Sequence, residues 1–527
     1  MRAWRAGQAL CLVMTAFPIR PLHAQRARDW PPADRVVVGD FSIIRAVAAG
    51  IDRLYVVGAT GVLIYRPLEG RWDGPYNPQG SMALERVFLA QVDPIDQSLW
   101  MTTASGWLNL QPELQLWTGG AVPGVVRAMA VDEADPSGGI RINTSSGWFR
   151  VASGSPVAAP SAPPARPLRP TTVQDAIAAN PSLRSSLTLM LRDARGRSTT
   201  MTSAAPSPDR LGWYLGTSGS GLLFIRQGDP TPERTSFGLS GDRVGALYSA
   251  PGGLWVATDR TDLSDAAVTY LSSDLLTSRT LAGGATLGLG YSQARRMTGM
   301  NRSLFLATDA GVTQLEVATG RTYFFGAGSA MPDPRTNIVL GRRGTVLAGT
   351  ARGLSRITDS QTVVRLAPEF LEPVLALETE GDSIWIGTPN GLLLLPPDAK
   401  RPGRTPGLAS SASLRAPVVA IAWLGDTLVA LTIDQLLWRM PGTDEWTLGP
   451  ILSPILGRLR VFTLFDDGFF IAGERGLAYA GLRTPPQRPL LGAEHPGLIR
   501  DLTVEDGYLW EATDRGLVRW RIDAILP

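Results

Sequence analysis

Cysteine is all but absent: the 527 residues contain one, Cys11, inside the apolar opening of the chain. Disulfides and thiolate chemistry are therefore excluded from any protein that begins downstream of it. Histidine is nearly as scarce, with only His23 and His495. A multi-histidine metal centre is excluded, and a Ser-His-Asp triad would have to run through His495. That residue follows Glu494 and precedes Pro496-Gly497, the setting of a surface-loop histidine. No uninterrupted apolar run reaches the roughly 18 residues of a membrane span. Lysine occurs once, at Lys400, against 49 arginines, which reads as composition rather than function. An excess of charge is missing too. With Arg2, Arg5 and Arg20 of the opening segment set aside, 47 basic residues face 47 acidic ones, so neither nucleic acid nor an anionic membrane has an electrostatic footprint to meet.

What is present is a turn-rich globular chain, 44% hydrophobic with 57 glycines and 41 prolines. Its opening places Arg2 and Arg5 before the apolar stretch from Ala9 to Phe17, then Leu22-His23-Ala24. That order is a secretory signal peptide over 1–24 with cleavage near Ala24, and it predicts a secreted or periplasmic protein.

Self-comparison then finds one pattern repeated: aliphatic or aromatic, often aromatic, aliphatic, small, Thr, two variable residues, Gly. Its copies begin at Leu54, Leu99, Ile140, Trp213, Leu254, Leu304, Val346, Ile384, Leu428, Phe469 and Leu509. Spacings of the threonine position fall between 38 and 50, except for one of 73. A period of that size accommodates four short strands and their turns. Segments such as Ile384-Trp385-Ile386-Gly387-Thr388 are β-branched and aromatic, apolar on both faces, and bounded by turn residues, which suits a sheet covered on both sides by neighbouring sheets. The small residue before Thr lets those sheets approach closely, and Trp100, Trp255, Trp385 and Trp510 at the second position read as core between them. The expectation is an all-β propeller of about eleven four-stranded blades. Two rings of five to six blades, the second inserted into the first, are preferred to one large ring. The lone strand Arg35 to Val38 is expected to complete the last blade, removing an exposed edge.

The expected organisation is three blades over 35–153, an insertion over 154–190, and the remaining blades over 191–525. The insertion begins with an Ala/Pro/Ser tract, Ala158 to Pro170, read as an exposed loop. One or two short helices are expected to follow, the first with Thr171 as its candidate cap.

Strings such as Leu254-Trp255-Val256-Ala257-Thr258, Ile384 to Thr388 followed by Pro389-Asn390-Gly391-Leu392, and Leu509 to Thr513 followed by Asp514-Arg515-Gly516-Leu517 resemble two-component-regulator propeller repeats. The resemblance spans roughly 35 to 525. It implies the propeller fold and an extracytoplasmic sensing role, without the β-sandwich, transmembrane helix and histidine kinase that commonly follow such repeats. A separate membrane signalling protein would then receive the signal.

For chemistry the residues offer little. Asp466-Asp467-Gly468 and Glu505-Asp506-Gly507 read as turns rather than calcium loops, and no phosphate-binding glycine loop appears. No cofactor and no metal are expected. A recognition surface is expected where turns joining second to third strands gather around a channel mouth: Asp259, Arg260, Asp309, Arg352, Asn390, Glu474, Arg475, Asp514 and Arg515. Arginines there suit carboxylates, sugars or peptide aromatics. The function read from the sequence is a non-catalytic recognition module for a protein or glycan. Acid-pair hydrolysis needs only two carboxylates, so a carboxylate-dependent glycan-acting enzyme is the alternative.

Overall fold

The computed structural model describes residues 30–526 apart from internal stretches, the longest being 164–172, 182–198 and 405–414. The signal-peptide segment and Thr171 lie outside the described residues. Eleven antiparallel sheets of four strands follow one another: 46–76, 89–121, 126–160, 201–235, 244–281, 294–326, 336–366, 376–404, 418–451, 459–491, and 499–521 together with Arg35–Val38. Each full sheet is a meander in which successive strands pair. This is β-propeller architecture, and the sheets are blades one to eleven in that order.

Burial follows position in the blade. Second strands such as Gly253–Thr258 and Ser303–Thr308 are buried at every residue because both faces meet a neighbouring sheet. Outer strands such as Val363–Leu366 are half exposed. The small residue before Thr is where sheets come closest: a Cβ on Gly387 would lie 2.7 Å from the Val418 carbonyl oxygen of the next blade. Trp100, Trp385 and Trp510 are at most 1% exposed, and Trp255 is also buried, as inter-blade core requires.

The recurrent threonine closes the hairpin that follows it. The hydroxyls of Thr308, Thr350, Thr388 and Thr513 each donate to the carbonyl of the turn glycine, at 2.7, 2.9, 2.9 and 2.7 Å. They also accept a backbone N–H from within the turn. Thr432 does the same with Gln435 at 2.9 Å, so the copy lacking the glycine still forms its hairpin. Elsewhere the glycine is steric. Gly476 has φ of 149°, and a Cβ there would lie 2.0 Å from the Leu490 carbonyl oxygen of the outer strand.

The N-terminal strand completes the last blade as expected: Arg35 to Val38 pair antiparallel with Trp520 to Leu517. The division into groups differs from the expected five and six. Inner strands of blades five to eleven pack each on the next, and Ile499–Glu505 of blade eleven returns to Val244–Ala250 of blade five. That junction is polar as well. The Leu247 N–H donates to Asp501 at 2.9 Å, Ser273 donates to Asp506 at 2.7 Å, and the Arg519 guanidinium donates to the Ser273 carbonyl. Seven blades thus form one circuit. The other four pack in the order four, one, two, three, and in the chain they are inserted between the closing strand and blade five. An apolar cluster containing Val38, Phe41, Ile44, Tyr214, Phe237, Leu247 and Trp510 joins the two groups.

The Ala/Pro/Ser tract is not loop throughout. Ala159–Pro160 form the fourth strand of blade three, pairing with Phe149 and Arg150. The helix Val173–Ala179 packs on Met201–Pro206 of blade four. No described helix is long and apolar enough to cross a membrane.

Candidate functional site

The nine residues nominated from sequence lie in hairpins between second and third strands of blades five, six, seven, eight, ten and eleven, all in the seven-blade circuit. Antiparallel pairing puts these turns on one face. Their aspartates, however, are committed to the backbone. Asp259 is fully buried; one oxygen accepts the Ala294 N–H at 2.9 Å and the other accepts Arg500, so it ties blades five, six and eleven together. Asp309 accepts the N–H groups of Ser292 and Gln293, each at 2.9 Å, and Asp514 accepts that of Leu498 at 2.7 Å. Each holds the segment entering an inner strand. Asn390 donates to Glu372 at 2.9 Å, Glu474 stands 3.6 Å from Arg460, and Arg475 donates to the Pro454 carbonyl at 3.0 Å. Arg260, Arg352 and Arg515 are exposed.

His495 is not the surface-loop residue its neighbours in sequence suggested. It is buried, with Nδ1 2.8 Å from Glu511 Oε1 and Nε2 2.9 Å from the Leu490 carbonyl. Both ring nitrogens face acceptors, so both donate and the ring is an imidazolium. Burial alone would lower its pKa; the charge and hydrogen bond of Glu511, with the Leu490 carbonyl, raise it above the ordinary histidine value. Glu511 also accepts the Trp520 indole N–H at 3.0 Å. The group is structural and sits beside the closing strand, where Trp30 donates to Glu494 at 2.6 Å.

Inside the circuit, a cavity of about 250 Å³ is lined by Ile338, Ala420 and Val461 and by one polar pair. There the Arg296 guanidinium donates to Asp501 at 2.9 Å. Burial pushes the Asp501 carboxyl up, against the opposing effects of Arg296 and two backbone donors.

A larger depression, about 820 Å³, opens among blades seven, eight and nine. It includes Gly381 and Gly425 at first-to-second-strand turns and Met440, Gly442, Thr443 and Asp444 beyond a third strand, which places it on the face opposite the nominated turns. Glu380 is locked in its wall: both carboxylate oxygens accept from Arg439, at 2.9 and 2.7 Å, and one accepts the Trp385 indole N–H at 2.9 Å. The Arg439 guanidinium lies 4.9 Å over the Trp385 ring. Trp423 donates to the Thr379 carbonyl at 3.0 Å. Among the described residues Glu378 accepts only the Thr379 N–H, at 2.8 Å. Burial pushes its carboxyl upward, while that bond and the nearby Arg342 charge pull it down. Sequence reasoning did not select this place. The available signal was two glutamates at alternate positions of a first strand, together with Trp423 outside the recurrent tryptophan position.

Fold and faces together define an all-β propeller protein. No protein-family model and no curated protein matches its sequence. Among solved structures it is similar to PorZ, described as an essential bacterial surface component of the type-IX secretion system of Porphyromonas gingivalis: 12% identity over 96% of this chain and 74% of that one, TM-score 0.45. It is also similar to the extracellular domain of a putative hybrid two component system from B. thetaiotaomicron, at 10% identity over 92% and 70% with TM-score 0.43. A streptogramin B lyase matches at 12% identity over 54% and 96%, TM-score 0.42.

Proposed function

We propose that this protein is an extracytoplasmic, non-catalytic propeller that recognises a partner through one face of its seven-blade circuit. The observation that carries the reading is the depression among blades seven to nine, an open site whose polar groups are suited to holding a ligand. A paired-acid mechanism needs two carboxylates available to a bound substrate. Here Glu380, the natural companion of Glu378 on the same strand, is consumed by Arg439 and Trp385. The signal-peptide-like opening supports export, and the repeat resemblance supports a sensing role in which occupancy is passed to a separate membrane protein.

The test is direct. The protein starting at Gln25 is screened against peptide and glycan arrays, and every hit is followed for product formation. Saturable binding without turnover is expected. Hydrolysis or elimination abolished by Glu378→Gln would establish the glycan-acting alternative instead.

A further inference from the structure

We propose that the depression among blades seven, eight and nine receives a cationic side chain, arginine or lysine, presented by a protein partner. This inference rests on the recognition role above and names its ligand chemistry. Donors and acceptors around the 820 Å³ site are unequally occupied. Most of the side-chain donors are in use. The indole N–H groups of Trp385 and Trp423 go to Glu380 and the Thr379 carbonyl, and Arg439 gives its Nη2 to Glu380, while its Nε is buried and has no partner among the described residues. The Thr443 hydroxyl goes to the Met440 carbonyl. Arg342 is the one charged donor of the lining with no hydrogen bond of its side chain among the described residues.

The acceptors are in the opposite state. Glu378 uses one oxygen for a backbone N–H. Asp426 and Asp444 are exposed and make neither a hydrogen bond nor an ion pair among the described residues. A lining rich in open acceptors and poor in open donors complements a group that only donates, and guanidinium and ammonium are the side chains of that kind. Charge agrees. Glu380 and Arg439 offset each other, which leaves Glu378, Asp426 and Asp444 facing Arg342. Half-buried Trp423 and exposed Met440 add apolar surface for the stem or plane of such a side chain, a setting that strengthens cation binding. A neutral glycan is served less well, because its hydroxyls must also find donors.

Hexa-arginine, hexa-lysine, hexa-glutamate and chitohexaose are titrated by calorimetry into the protein starting at Gln25. The cationic peptides are expected to bind and the others not. Glu378→Gln keeps an acceptor for the Thr379 N–H and is expected to weaken hexa-arginine binding about tenfold or more, the effect of losing ~1.4 kcal/mol. The exposed double variant Asp426→Asn/Asp444→Asn gives the same direction should Glu378→Gln fail to fold. Arg342→Gln is expected to tighten binding, whereas Glu69→Gln, exposed on blade one, leaves it unchanged. Equal affinity in all variants would mean adventitious polycation binding and overturn the proposal, as would the absence of any cation binding. Chitohexaose bound in place of the peptides would overturn this inference while leaving the recognition role standing; conversion of a probe to product would overturn that role itself.

Discussion

At the scale of single residues, the most repeated device is a buried hydroxyl. Thr388 donates to the Gly391 carbonyl and accepts the Asn390 N–H, so Thr388→Val keeps the shape and strips two backbone groups of their partner. A loss of about 1–3 kcal/mol is expected from leaving such groups unsatisfied, with Thr388→Ser close to wild type, both read from denaturant midpoints. His495 makes a second prediction. Its folded pKa is raised, so the folded state holds the proton more tightly than the unfolded one. The stabilisation is complete below about pH 6.5, the unfolded value, and is lost as pH rises through the higher folded value. Melting temperature should therefore fall over that range, and His495→Gln should remove this component of the slope; an unchanged slope in the variant would refute the imidazolium assignment. The recurrence of threonine was visible in sequence, but its reason was not, because the partner atoms lie in the turn backbone. The backbone bonds of the aspartates that follow it were hidden for the same kind of reason. Asp259 and Asp514 look exposed in a hairpin string, and only the folded chain brings Ala294 and Leu498 to them.

At the scale of elements, local pattern was a good guide wherever both faces of a strand are covered. Strands such as Ile384 to Thr388 announce themselves by consecutive apolar residues, and the hairpins by their glycine. The outer strand Ala159–Pro160 was missed because it has no apolar signature; both residues are exposed and are held by pairing alone. The closing strand illustrates the reverse, a short apolar string whose partner is almost the whole chain away. Val36, Val37 and Val38 are buried, and a chain beginning at Gly39 loses all three along with the pairing to Leu517 to Trp520. At about 1.5–3 kcal/mol per buried aliphatic side chain, a loss on the order of 5 kcal/mol is expected. The exposed edge of blade eleven should also bind a peptide covering residues 30 to 38. An unfolding midpoint equal to that of the longer protein would show that the strand is dispensable.

At the scale of the whole molecule, counting repeats gives eleven blades but not where a circuit closes, since closure is decided by contacts such as Leu247 to Asp501 between distant segments. The candidate site was illegible for the same reason: Glu378 and Trp423 come from different blades and meet only once inner strands are side by side. The chain crosses between the four-blade group and the circuit just after Val38 and again before Val244, and two acids meet there. The Asp40 N–H donates to Asp242 Oδ1 at 2.6 Å, and the Ser42 N–H donates to Asp40 Oδ1 at 2.7 Å. Burial, with the Asp242 charge adding to it, pushes the Asp40 carboxyl up to about 6, against the lowering effect of Ser42 and Arg234. A carboxyl with a raised folded pKa holds its proton more tightly when folded, so this stability is complete below the ordinary carboxyl value of 3.8 and is lost as pH climbs through about 6. At neutral pH the buried carboxylate is a cost. Asp40→Asn retains an acceptor for Ser42 without the charge, so it should stabilise the protein at pH 7.5 by on the order of 1–3 kcal/mol and by less at pH 4.5, where only part of that window has been crossed. Parallel melts at the two pH values decide the matter: a variant destabilised at both would show that the carboxylate is required at the crossing rather than tolerated there.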